Sequence, residues 1–425
     1  MDTSMDFRAC SQLGRALLVV LSLAFVSAQA ESPKPLSLDE AVRLAEQQAP
    51  SLDARQAALT SATDAVGPAG QLPDPELVAG VDNLPVTTGD AFSLTRDFMT
   101  MRKVGVMQTF TRREKRDLRT RRAEASAERE RALLTNERLS VREATAKAWI
   151  ACWAAEKRLG LLQSLRARAN AQAAAATAAL SGGHGSAAEG LAAKSTKVLL
   201  EDRITQAGRD VAQARADLVR WLPDAGDRVL ADAPDAFELG VDPDAVLRHI
   251  ATHRDLLTYD AMERAAATDV ELARAEKHPD WSAEFDFQQR GPHYSNMVSF
   301  EVRIPLPLFA SDRQDPMIAS KQAAADQIQA EREDALRMHT AELKKVLAIW
   351  RSAAERANRY EHEVLPLAND RADAALAAYR GGRGDLQATL GAFDNAVEQR
   401  MVYTDVLATL GQAWATLHFA FPQER

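Results

Sequence analysis

The sequence predicts a mainly α-helical protein made of long antiparallel helical hairpins, with a few membrane-type β-strands at one end. Three observations lead there. The phrase Gly-Gly-x-Gly occurs twice, at 182–185 and at 381–384. Two segments near residues 281–305 alternate strictly between apolar and polar residues. The order of segments in the first half of the 425-residue chain recurs in the second.

At the N-terminus, Arg15 precedes the apolar run Ala16 to Val26, and Ser27-Ala-Gln-Ala30 follows. A basic residue, a short apolar core and an Ala-x-Ala site are the parts of a secretory signal, with cleavage expected after Ala30. The run is too short to span a bilayer, and Cys10 leaves with it. Cys152 then remains as a single cysteine with no internal partner, flanked by Ala151 and Trp153 as in a packed helix.

The duplication organises the rest. Residues 31–221 form a first repeat, 222–240 a loop-rich linker and 241–425 a second repeat. Ala41/Ala245, Val42/Val246 and Leu52/Leu256 share an offset of 204, and Trp149 answers Trp350 at a similar spacing. Each repeat reads as a helix, two strands, a long helix, a tight turn and a returning helix. The entry helices are expected over 38–70 and 242–277, each about 50 Å long.

The strands carry the membrane argument. In 281–290, Trp281, Ala283, Phe285 and Phe287 share one face; Ser282, Glu284, Asp286 and Gln288 share the other. In 296–305, Val298, Phe300, Val302 and Ile304 oppose Ser299, Glu301 and Arg303. Strands of about 9–10 residues with period two fit a barrel with a lipid face and a wet face. A small soluble sheet with one buried face is the alternative, and in either case these charges are expected to face solvent. PELVAGVDN (75–83) and MRKVGVMQTF (101–110) take the same places in the first repeat, with weaker alternation. Four strands cannot close a barrel, whose smallest forms have about eight, and open edges cannot face lipid. Three copies would supply twelve.

The long helices are expected over 112–180 and 312–380, about 105 Å each. At their ends glycine supplies the left-handed backbone of a C-terminal cap. Ser186, with Glu189 three residues on, then forms a capping box for the returning helix, and Asp385 plays the same part in the second repeat. The tips therefore comprise Gly182, Gly183, His184, Gly185 and Ser186, and Gly381, Gly382, Arg383, Gly384 and Asp385. They are exposed turns about 100 Å from the strands, suited to docking a partner. No second histidine sits at helical spacing beside His184, so no metal site is expected. Pro366 falls inside the second long helix, favours a kink there and has no first-repeat counterpart.

The remaining signals exclude more than they assign. A net charge of −8 argues against a nucleic-acid groove. There is no phosphate loop, zinc motif or nucleophile elbow, so neither enzyme nor cofactor is expected. His278, Asp280 and Glu284 form the nearest polar cluster, at strand-entry positions that read as structural.

In this order, AVRLAEQQAPSL, LPDPEL, VGVMQTF, VRIPLPLFASD and AALAAYRGGRGDLQATL resemble the TolC-like outer-membrane efflux proteins over nearly all of residues 37–420. The resemblance implies a homotrimer with a twelve-stranded barrel in outer-membrane lipid and a periplasmic helical tunnel. It further implies an exit duct for a periplasmic adaptor and an inner-membrane resistance–nodulation–division pump. Within the family the chain is most similar to ducts of heavy-metal efflux systems; a duct for drugs or organic compounds, or a periplasmic coiled-coil adaptor, are the alternatives. Family gates near the second tip use a tyrosine, an arginine and acidic rings. Tyr379 fits the tyrosine, Arg383 or Arg380 the arginine, and Asp385 and Asp394 are the acidic candidates. The sequence departs from the pattern in placing Arg383 one position early, and TFTRREKR lacks the prolines of IPLPLF.

Overall fold

The computed structural model describes residues 34–422 apart from 184–185, 235–236, 240–242, 382 and 384–385. The segment read as a signal lies outside them. In chain order the elements are α1 (Leu38–Gln48), α2 (Pro50–Asp64), α3 (Val66–Ala69), β1 (Glu76–Asp82), β2 (Met101–Phe110), α4 (Arg113–Ser181) and α5 (Ala187–Trp221). The second half gives α6 (Pro243–Arg248), α7 (Tyr259–Ala275), β3 (Trp281–Gln289), β4 (Met297–Arg303), α8 (Gln314–Arg359), α9 (Leu365–Arg380) and α10 (Leu386–His418).

The entry helices are broken where one continuous helix was expected. Ala49 adopts an extended backbone (ψ 111) ahead of Pro50, so α1 stops and α2 restarts with proline in its first turn. In the second half two short 3₁₀ turns, Ile250–Thr252 and Arg254–Leu256, separate α6 from α7, hinged on extended His253 (ψ 136).

The long helices match in length but not in regularity. Helix α4 runs for 69 residues without interruption. Its counterpart is divided by a π turn at Tyr360–Val364, immediately before Pro366 in the first turn of α9. Proline has no N–H to donate, and in a regular helix its ring would meet the carbonyl four residues back. The wider turn moves that carbonyl aside.

Packing centres on α4. Its Leu139, Val141, Ala146, Trp149, Ile150 and Cys152 are buried with Leu36, Ala41, Leu218 and Leu222. Burial pushes the Cys152 thiol pKa up, so it is an inert packed group. The two tryptophans that the expected repeat aligns make similar hydrogen bonds. Trp149 Nε1–H donates to the Leu36 carbonyl (3.0 Å) and Trp350 Nε1–H to the Phe237 carbonyl (3.1 Å), each across 113 positions.

The helical layer is asymmetric. Helices α7 and α10 each pack against both α4 and α8, whereas α1, α2 and α5 pack extensively only on α4 among the long helices. No described helix is long and apolar enough to cross a membrane.

Candidate functional site: the strand end and the helical tips

The strands form one antiparallel sheet in the order β1-β2-β3-β4. Register decides what each face carries. Leu77, Val106, Phe285 and Phe300 lie in one cross-strand row, and Ala79, Val104, Phe287 and Val298 in the next. This apolar face is the exposed one: Leu77 is 76%, Phe285 55% and Phe300 71% accessible. At its end, Phe110 stacks on Trp281 at 4.3 Å. A soluble sheet buries such a face; this one presents it outward.

The opposite face holds the charges. Glu284 and Asp286 are 3% and 4% exposed, which corrects the expectation that they sit in solvent. Glu284 meets Arg303 at 2.7 Å and Lys103 at 3.6 Å, and Lys103 also reaches Asp82 at 3.9 Å. Arg303 pairs with Glu301 at 2.5 Å. A Cβ at Gly105 would collide with the Asp286 carboxylate and the Phe285 carbonyl, so glycine there lets the polar face close up. Sequence alternation had separated the two faces; the burial of Glu284 and Asp286 on the charged one had no sequence signal.

The strand-to-helix joints differ between halves. Only residues 111–112 separate β2 from α4, whereas 304–313 separate β4 from α8 and leave Leu306, Leu308 and Phe309 exposed. The short joint is held by Asp280, which accepts from the Arg112 N–H (3.0 Å) and lies 3.4 Å from buried Lys115. Asp280 and Glu284, two members of the polar cluster noted at the strand entry, are thus absorbed by structural ion pairs.

At the other end, each long helix terminates in a glycine cap. Gly183 has φ +74, and its N–H donates to the Leu180 carbonyl (3.2 Å) while Gly182 N–H donates to Ala178 (2.9 Å). In the second tip Gly381 N–H donates to Ala377 and Arg383 N–H to Ala378, both at 3.0 Å. The last of these is the six-to-one bond of a Schellman cap. His184, Gly185, Gly382, Gly384 and Asp385 lie outside the described residues, as does the Glu189 side chain. Ser186 precedes α5, and its carbonyl accepts from Gly190 (3.2 Å).

Among the described residues the gate candidates do not converge within one chain. Tyr379, Arg380 and Arg383 are exposed at the end of α9 and beyond it. Asp394 instead lines a cavity of about 520 Å³ between α4, α5 and α10, with Arg168, Gln172, Arg203 and Glu398. Burial raises the Asp394 carboxyl above its usual range, and Arg168 works against that rise. Beside it Arg168 lies over the Phe393 ring at 4.5 Å, Gln172 bonds Gln387 at 3.0 Å and Arg203 pairs with Glu398 at 3.2 Å. These contacts clamp the second hairpin to α4 and α5. No hydrogen bond or ion pair among the described residues joins Tyr379, Arg380 or Arg383 to Asp394.

No protein-family model matches the sequence, and no curated protein matches it either. Solved structures do. The outer-membrane channel CmeC of Campylobacter jejuni superposes with a TM-score of 0.75 at 13% identity, covering 91% of this chain and 87% of that one. The outer-membrane protein VceC of Vibrio cholerae gives 0.71 at 18%, covering 90% and 95%. The open state of the MtrE outer-membrane channel of Neisseria gonorrhoeae gives 0.67 at 16%, covering 91% of each.

This is the outer-membrane channel fold. The likeness extends over about nine-tenths of this chain and 87–95% of the others. The proteins with which the fold is shared are channels, not enzymes.

Proposed function

We propose that the chain is the outer-membrane duct of a tripartite efflux system, working as a homotrimer with its strands in outer-membrane lipid and its hairpins in the periplasm. One observation carries the reading: the sheet is apolar outside, charged inside and open at both edges. Edges β1 and β4 cannot stay unpaired in lipid. A neighbouring copy supplies the missing partner, β4 of one chain beside β1 of the next. The helices support the same operation. Helices α7 and α10 of the second repeat bridge α4 to α8, while α2 and α5 pack extensively on α4 and not on α8; the face of α8 toward the next copy would receive them. That is a head-to-tail contact, which closes as a ring. Three copies give twelve strands, within the range of membrane barrels.

In this arrangement the charged face lines the lumen. It carries Glu76, Asp82, Glu284, Asp286 and Glu301 against Lys103 and Arg303. This excess of carboxylates favours cations in a confined channel, which supports heavy-metal cations as cargo. Closed tips at 182–186 and 381–385 would meet the periplasmic adaptor, and the inner-membrane pump would supply the energy. The periplasmic end would be narrowed by Tyr379, Arg380 or Arg383, with Asp385 and Asp394. Purified protein in a planar bilayer tests the duct: stepwise, cation-selective conductance is expected. Absence of conductance would refute it, and selectivity unchanged in Glu284→Gln/Glu301→Gln would refute the role of the lumen acids. Metal sensitivity of a deletion strain, against drug sensitivity alone, separates the two cargo classes.

A further inference from the structure

His249 and His253 stand four residues apart in the sequence, but the fold sets His253 against His339 instead. His253 lies between the two 3₁₀ turns that precede α7, and Asp255 is the middle residue of the second; His339 and Glu342 lie one turn apart on α8. The rings of His253 and His339 stack with centroids 4.6 Å apart. Asp255 Oδ2 is 3.7 Å from His253 Nδ1 and 3.8 Å from His339 Nδ1, and Glu342 Oε2 is 3.5 Å from His339 Nδ1. The ligand atoms of His253, Asp255 and His339 all lie within 4.8 Å of one another. A tetrahedral ion with bonds of about 2.0–2.1 Å holds its ligand atoms about 3.3 Å apart, so the carboxylate–imidazole distances of 3.7 and 3.8 Å must close by roughly half an ångström and the widest separation in the cluster by up to about 1.5 Å.

Two further features point to an ion. His339 is 9% exposed, and its buried Nδ1 has no hydrogen-bond partner. Such an atom carries a desolvation cost with nothing in return. In addition, Asn136 of α4 donates to Asp255 Oδ1 at 2.9 Å, which fixes the carboxylate and leaves Oδ2 turned to the imidazoles. That is the second-shell arrangement of a metal-bound carboxylate. His253 Nδ1 accepts only a long bond from Asp255 N–H (3.3 Å), which an ion would displace. Arg254 pairs with Glu143 at 2.7 Å and lies 3.9 Å from Asp255 Oδ1. A cavity of about 200 Å³, lined by Glu143, Lys147, His253, Arg254, Asp255 and Glu342, adjoins the cluster and gives access.

We propose that His253, Asp255 and His339, completed by Glu342 or water, form a site for a borderline divalent cation of the Zn²⁺ or Co²⁺ class. Imidazole with one carboxylate is the donor set these ions prefer. The site is about 38 Å along α8 from its sheet end, where an ion would tie the turn before α7 to α8 and, through Asn136, to α4. This proposal stands whether or not the chain is an efflux duct.

The test uses the full mature chain in detergent, stripped of metal and titrated with Co²⁺. One equivalent per chain is expected, with the visible band of four- or five-coordinate cobalt, displaced by Zn²⁺. Asp255→Asn and His339→Gln should each weaken binding at least about tenfold. Asp255→Asn keeps the shape of the half-exposed side chain, so it reports on the site even where His339→Gln disturbs folding. No band at one equivalent, or both variants binding as wild type does, would overturn the site.

Discussion

The first long helix runs unbroken for 69 residues, while its counterpart widens into a π turn at Tyr360–Val364 before continuing to Arg380. Both descend from the same plan, as the paired tryptophan bonds to Leu36 and Phe237 show. The difference lies in what surrounds them. Helix α4 is enclosed by α1, α2, α5, α7 and α10, so its shape is fixed from every side. Helices α8 and α9 keep an open flank and contain Pro366 where α4 has none. Of the eight histidines, seven lie in the second repeat. Duplication preserved the architecture and left one copy as frame, the other as the part free to acquire a hinge and titratable groups.

The sharpest break of this comparison is at the tryptophans. Trp149 is fully buried, whereas Trp350 is only partly so. Trp149→Ala should cost about 3–5 kcal/mol in denaturant unfolding. Trp350→Ala should cost distinctly less; equal costs would deny that α4 is the frame. Next is the lipid face. Phe300→Arg should cost about 2–4 kcal/mol of insertion stability, measured by unfolding from liposomes. Glu301→Arg, its neighbour on the charged face, should leave insertion stability nearly unchanged. The hinge comes third. Pro366→Ala restores a donor and should let α8 and α9 merge, slowing channel opening a few-fold in single-channel recordings; wild-type opening rates would remove the π turn from the mechanism.

The smallest effect is a pH dependence confined to the second repeat. His418 is stacked on Trp414 at 4.6 Å, with Phe419 edge-on and Asp39 and Arg142 as its charged neighbours. Burial holds its pKa below the ordinary histidine value, Asp39 opposing and Arg142 assisting. The unfolded chain therefore binds this proton at higher pH than the folded one. The contribution to stability is full above the ordinary value of about 6.5 and is lost as pH falls through it toward the folded pKa. His418→Gln should flatten the stability profile between about pH 7.5 and 5.5; an unchanged slope would assign it to other groups.

Much of this architecture was legible because it repeats. Period-two alternation marked β3 and β4 to within two residues, and the glycine phrases located the ends of the long helices. What escaped has physical reasons. The break at Ala49–Pro50 hides inside an apolar pattern that continues across it. The burial of Glu284 and Asp286 depends on neighbours from the paired strands, Lys103, Arg303 and the close approach at Gly105, which no single strand encodes. His253 and His339 meet only through the packing of the turns before α7 on α8. Pro366 did signal an irregularity, and the structure gives its form. The tip residues were marked by their glycines, yet the candidates for closure, Tyr379 and Asp394, occupy different surfaces of one chain.

The central claim is that one chain is an incomplete unit whose sheet and helical layer close only with copies of itself. The mass of the detergent-extracted mature protein from the outer-membrane fraction tests it most directly. The account predicts particles of three chains. A stable monomer, or its recovery as a soluble periplasmic protein, would contradict it and leave the exposed row of Leu77, Val106, Phe285 and Phe300 without a purpose.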